Sequence, residues 1–123
     1  MYQGAYDEKF DTPEIVPVVK NGRCTVFSEL FHGRTLAFKD MALSILPYLM
    51  KTAAKKNGLD KEIVILTATS GDTGKAALEG FANVEGTRIM VFFPEDGVSP
   101  VQKLQMEYTG GHEYLRGWHQ GEL

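Results

Sequence analysis

Ile63-Val64-Ile65-Leu66-Thr67-Ala68-Thr69-Ser70-Gly71-Asp72-Thr73-Gly74-Lys75 is the stretch on which the fold turns. Its first six residues form an unbroken apolar, largely β-branched run, the composition of a buried parallel strand. Residues 70–74 then supply glycines and short polar side chains, which read as a loop. A short helix follows over residues 75–82, with Ala77, Leu78 and Phe81 facing inward. Farther on, residues 88–93 read as a second buried strand, closed by Pro94. Ser99-Pro100 has the form of an N-cap followed by proline at the first helical position, which predicts a helix over residues 100–108. Strand, loop, helix, strand, helix is the pattern of an α/β fold with an open, mainly parallel sheet and flanking helices.

Upstream, Asn21-Gly22 is the strongest short turn signal, and it lies between two β-prone stretches. The first, residues 15–19, contains Pro17 and is limited to an edge strand or a loop. The second runs from Cys24 to Leu30. A long helical stretch covers about residues 38–56. On it Ala42, Ile45, Leu46, Leu49 and Ala53 share one face, while Met41, Leu43, Tyr48 and Met50 make the other faces apolar as well. A helix apolar nearly all round belongs inside a larger body. Pro47 should kink it, and Asn57-Gly58 supplies a left-handed stop. Residues 1–14 are expected on the surface or frayed, 15–106 form the α/β unit, and 107–123 are expected to be an irregular, poorly ordered tail.

The 123 residues suit one compact domain or a fragment of something larger. A hydrophobic content of 43% and a charged content of 24% are ordinary for a globular chain. The net charge of −3 argues against nucleic acid and against an anionic membrane as partner. No apolar run approaches the roughly 20 residues that a membrane helix needs, and no leader is visible, so the expected location is cytoplasmic. The lone Cys24 excludes an internal disulfide and reads as a small packing residue.

Two places could carry chemistry. Lys39 stands at the front of the long helix beside Leu36 and Phe38, where apolar neighbours and the positive helix end both disfavour an ammonium. A neutral amine is what Schiff-base chemistry with an aldehyde requires. A lysine at a helix start more often snorkels to solvent. The loop Thr69-Ser70-Gly71-Asp72-Thr73-Gly74 offers backbone N–H groups and hydroxyls to an anion at the carboxyl edge of a sheet. An ordinary capped turn between strand and helix is the plainer reading. Asp72 is awkward beside an anion and could instead cap the helix or face a hydroxyl or cation. A nucleotide phosphate loop, G-x-x-x-x-G-K-[ST], fails because Thr69 and Ala76 occupy two defining positions. His112, Glu113 and His119 lie in the irregular tail without a rigid element to hold a metal, and no metal site is expected.

The sequence also resembles a known family. Glu29-Leu30-Phe31-His32-Gly33-Arg34-Thr35-Leu36-Ala37-Phe38-Lys39-Asp40 is similar to the cofactor-lysine segment of threonine synthases, E-L-[FT]-H-G-P-T-x-A-F-K-D. Thr67-Ala68-Thr69-Ser70-Gly71-Asp72-Thr73-Gly74 resembles their T-x-T-S-G-D-T-G signature. Phe93-Pro94 and Ser99-Pro100-Val101-Gln102-Lys103 resemble the next strand end and helix start. The matches fall in family order over about residues 10–106.

The resemblance implies part of a fold type II pyridoxal 5′-phosphate (PLP) enzyme, a lyase of threonine biosynthesis. Lys39 would bind the cofactor and move protons, and Asp72 would lie near the cofactor's 3′-oxygen. Thr69, Ser70, Gly71 and Thr73 would hold the substrate carboxylate. O-phospho-L-homoserine and water would give L-threonine and phosphate. Two departures stand out: Arg34 replaces a proline, and the family's phosphate-gripping glycine loop comes later in chains several times longer. The alternative is an inactive fragment that binds PLP weakly or associates with itself through an exposed sheet edge.

Overall fold

The computed structural model describes residues 4–94, 97–108 and, as backbone, 114–118. In chain order the elements are β1 (Val18–Asn21), β2 (Thr25–Ser28), α1 (Asp40–Lys56), β3 (Ile63–Ala68), α2 (Asp72–Phe81), β4 (Thr87–Phe93), α3 (Pro100–Tyr108) and β5 (Tyr114–Trp118). β3, β4 and β5 form a parallel sheet in that order, with Ile63 opposite Thr87 and Ile89 opposite Tyr114. β1 and β2 form a separate antiparallel hairpin. The open, mainly parallel α/β architecture expected from the strand–loop–helix pattern is present.

α2 lies at the centre of the packing and touches α1, β4 and α3. Its Ala77, Leu78 and Phe81 form the core with Ile89, Val91 and Met106. The opposite sheet face is bare: Val64 is 50% exposed and Leu66 67%. The apolar run of β3 is therefore covered on one face and open on the other, whereas two-sided burial was expected. α1 shows the same division. Asp40, Ser44 and Pro47 are buried and Leu43 and Met50 pack on the core, while Leu46 and Leu49 stay exposed.

Pro47 has a specific consequence for this packing. Proline has no N–H, so the Leu43 carbonyl loses the donor that a regular helix would give it. Gly80 of α2 sits directly against that carbonyl, and a Cβ there would strike it. α1 ends as the sequence suggests. Gly58 takes φ +68, its N–H donates to Lys55 O at 3.2 Å, and the Leu59 N–H donates to Ala54 O at 2.9 Å. This is the paired-bond glycine stop of a Schellman motif. α3 starts with a reciprocal cap, in which the Gln102 N–H donates to Ser99 Oγ and the Ser99 N–H to Gln102 Oε1.

Two expectations are corrected and a third is narrowed. The stretch 1–14, expected on the surface or frayed, lies largely on the surface among its described residues but is docked there. Ala5 and Phe10 are buried, Tyr6 donates to Met41 O at 2.8 Å, and Tyr48 donates to Gly4 O at 2.6 Å. Aromatic rings with polar tips let this glycine-containing segment dock on α1. Residues 107–108 close α3 and 114–118 form β5, so the stretch expected to be irregular contains a strand edge to edge with β4. Cys24 is exposed in the hairpin loop rather than packed, because the turn at Asn21-Gly22 extends through it. His112, Glu113 and His119 lie outside the described residues.

Candidate active site

The site forms where the turn before α1 meets the first turn of α2. Lys39 immediately precedes α1, with φ −65° and ψ −21°, so its side chain leaves from the helix start. Its Nζ donates to Thr73 Oγ1 at 2.5 Å across 34 residues of sequence. Thr73 lies in the first turn of α2, where backbone N–H groups have no helical acceptors and the dipole is positive. Lys39 and Thr73 are both half-buried. Leu36 and Phe38, expected to bury Lys39, are instead 65% and 63% exposed. Leu36 takes φ +61, a left-handed conformation that is costly for leucine and turns its side chain outward.

The turn is held by Asp40. Its carboxylate accepts the Thr35 N–H at 2.8 Å and the Thr35 hydroxyl at 2.6 Å. Gly33 lies so close to Asp40 that a Cβ would overlap the carboxylate. Asp40 therefore folds back over the turn, with both carboxylate oxygens on Thr35. His32 stands outside this turn, with Nδ1 2.5 Å from Asp11 Oδ1 and Nε2 3.0 Å from Glu29 Oε2. Hydrogen bonds to Glu29 and then Asp11 hold its imidazole above the usual histidine range.

The glycine loop is built around Thr69. Its hydroxyl accepts the N–H groups of Gly71 and Gly74, each at 3.0 Å. Gly71 takes φ 148° and ψ −90°, a region that only glycine enters readily, and a Cβ would lie 2.5 Å from the Gln102 amide. α2 begins at Asp72, three residues before the expected start, so Asp72 and Thr73 belong to the helix. Asp72 Oδ1 accepts Gln102 Nε2 at 2.9 Å and stands 3.1 Å from Lys75 Nζ. The Gln102 amide and then the Lys75 ammonium hold its carboxyl below the usual carboxylate range. Ser70 is exposed at the loop tip.

The predicted residues thus divide. Lys39 and Thr73 are in direct contact, Thr69 and Gly71 shape the loop, Ser70 faces out, and Asp72 is turned toward Lys75 and Gln102. Two contributors escaped the sequence reading. In the sequence Gln102 stands out only as part of a helix start, although its spacing from Ser99 marks a capping residue near the loop. In the sequence Lys75 has the look of a nucleotide-loop lysine and nothing more. In the fold it is 8% exposed and donates to the Thr35 carbonyl at 3.2 Å, which no sequence signal indicates.

Comparison with known proteins gives this corner a context. No family model matches the chain. Threonine synthase-like 1 of Pongo abelii is 37% identical over 126 residues, covering 98% of this chain and 16% of that protein. Threonine synthase of Pseudomonas aeruginosa is 49% identical over 78 residues, covering 63% of this chain and 16% of that protein. Among solved structures, PLP-bound threonine synthase from Brucella melitensis superposes with a TM-score of 0.74 at 42% identity. That match covers 83% of this chain and 21% of the solved one. The chain therefore spans about a sixth of the length of the curated relatives it matches. Likeness at this level, in sequence through both the Lys39 turn and the glycine loop and in backbone over most of the chain, means that this chain belongs, as a segment, to the threonine synthase family.

Proposed function

We propose that this chain supplies the cofactor-lysine part of a PLP-dependent lyase that turns O-phospho-L-homoserine and water into L-threonine and phosphate. The observation that carries the reading is the hydrogen bond from Lys39 Nζ to Thr73 Oγ1, which joins the two family-like segments at one point. The residues fit a carbonyl cofactor. Lys39 has no ion pair among the described residues, its partner is a neutral hydroxyl, and a half-buried amine stays reachable. An amine locked against a carboxylate would stay an ammonium and could not attack an aldehyde.

When bound, PLP supplies the electron sink that such chemistry needs. In this reading Lys39 would hold the cofactor and move protons at the substrate carbon, as the lysine that meets the Thr73 hydroxyl. Thr73 orients the Lys39 amine through its hydroxyl. Ser70 and the N–H groups at the start of α2 receive the substrate carboxylate, since a helix N-terminus favours an anion. Thr69 shapes the loop with two accepted hydrogen bonds, and Gly71 lets it turn. Asp72 would lie near the cofactor's 3′-oxygen, with its charge already shared by Gln102 and Lys75.

The bare apolar faces of β3 and α1 favour a second reading for this polypeptide alone, a fragment that associates with itself and does not turn over. A visible spectrum of the purified chain with added PLP, before and after borohydride, separates the two. A borohydride-stable adduct that maps to Lys39 and is lost in Lys39→Ala supports the enzyme segment. Equal labelling of wild type and variant refutes it.

A further inference from the structure

Lys75 is only 8% exposed, and its Nζ stands 3.1 Å from the Asp72 carboxylate. Its ammonium bridges two segments. It donates to the Thr35 carbonyl of the turn that leads into Lys39, and it meets Asp72 of the glycine loop. Asp72 is the residue next to Thr73, whose hydroxyl receives the Lys39 amine, and it lies within the field of Lys39. Its Oδ1 is nevertheless taken by Lys75 and Gln102.

We propose that Lys75 is a positioning residue that holds the Asp72 carboxylate away from Lys39 and so leaves the Lys39 amine on the neutral hydroxyl of Thr73. Without Lys75, Asp72 loses its ammonium partner, and Lys39, held on the hydroxyl of the adjacent Thr73, is a cation it can turn to. An ion pair there favours the protonated lysine, which has no lone pair for a carbonyl. The charged groups flanking Lys39 support this assignment. Asp40, on its own helix, has both carboxylate oxygens engaged by Thr35. On α2 the charges are Asp72 and Lys75 in the first turn and Glu79 about two turns farther on, so Asp72 is the carboxylate at the loop corner. The proposal rests on the reading of Lys39 as a reactive amine, but it needs no bound cofactor.

The test uses formaldehyde with cyanoborohydride, which methylates neutral lysine amines, read lysine by lysine by peptide mass spectrometry on the whole chain. Exposed Lys56, at the far end of α1, is the internal reference. At about neutral pH, Lys75→Met should slow methylation of Lys39 about fivefold, the worth of one partly exposed ion pair. Lys75→Arg should restore the rate, and so should Asp72→Asn placed in the Lys75→Met background. The deficit should close at strongly alkaline pH, where lysines are neutral whatever their neighbours. A collapsed loop would give none of these three rescues. Unchanged Lys39 methylation in Lys75→Met, or no rescue by Asp72→Asn in a variant that keeps its helical circular dichroism, overturns the proposal. If Lys75→Met does not fold, Asp72→Asn alone decides. A Lys39 rate at or above wild type supports the proposal, and a slower one overturns it. Failure of PLP trapping alongside the expected methylation pattern would count against the cofactor reading alone.

Discussion

At the scale of single residues, the region before α1 is held together by side chains that answer one another's charge. His32 is the clearest case, because it links three parts of the chain through Asp11, Glu29 and its own turn. Its imidazole is raised from the ordinary 6.5, first by the hydrogen bond to Glu29 and then by that to Asp11. A histidine raised on folding contributes stability that is fully present below its unfolded value and is lost as pH rises through the folded one. The melting-temperature difference between wild type and His32→Gln should therefore be larger at about pH 6 than at about pH 9. Thermal denaturation in matched buffers checks this. A difference that does not vary with pH would show that His32 acts by stacking on Phe31, 4.6 Å away, rather than through charge.

At the scale of elements, α1 and α2 meet where one helix lacks a donor and the other lacks a side chain. Pro47 frees the Leu43 carbonyl, and Gly80 occupies the space against it. The obstacle to a larger residue is backbone, which cannot rotate aside as a flexible side chain can. Gly80→Val should destabilise the chain by about 1–3 kcal/mol, in the range of overpacked cores. Urea denaturation with an unchanged slope would confirm it. A neutral result would mean that the two helices slide apart without cost. Because α2 carries Thr73 and α1 follows Lys39, this helix pair also sets the distance at which the amine and the hydroxyl meet.

At the scale of the whole molecule, the sheet is covered on one side only. Val64, Leu66 and Phe92 line the uncovered side, and the hairpin adds Val18, Val26 and Phe27, all exposed. Apolar patches of this kind mark surfaces that bury against something else. We expect the isolated chain to elute in size-exclusion chromatography above its monomer size, with that fraction growing with concentration. Val64→Lys together with Leu66→Lys should shift it toward monomer, because charge on an apolar face opposes pairing. Elution of wild type as a monomer at every concentration would rule out association through this face.

Much of the fold was legible in local pattern alone. The apolar run at 63–68, the glycine loop, the Ser99-Pro100 start and the Asn57-Gly58 stop each depend on interactions a few residues long, so sequence spacing is enough to place them. Lys39 and the loop were also recognisable, since both lie in short segments of distinctive composition. What their partners would be was not. That Lys39 meets Thr73, that Asp40 turns back to Thr35, and that Lys75 is buried between Thr35 and Asp72 depend on how α1 and α2 pack. The same holds for burial. An apolar strand has the same composition whether one face or two are covered, and only the positions of α1, α2 and α3 decided that β3 is covered on one. Local chemistry, then, set the elements and named the candidate lysine. The contacts around its amine come from residues 34 to 40 positions apart, which only the tertiary structure brings together.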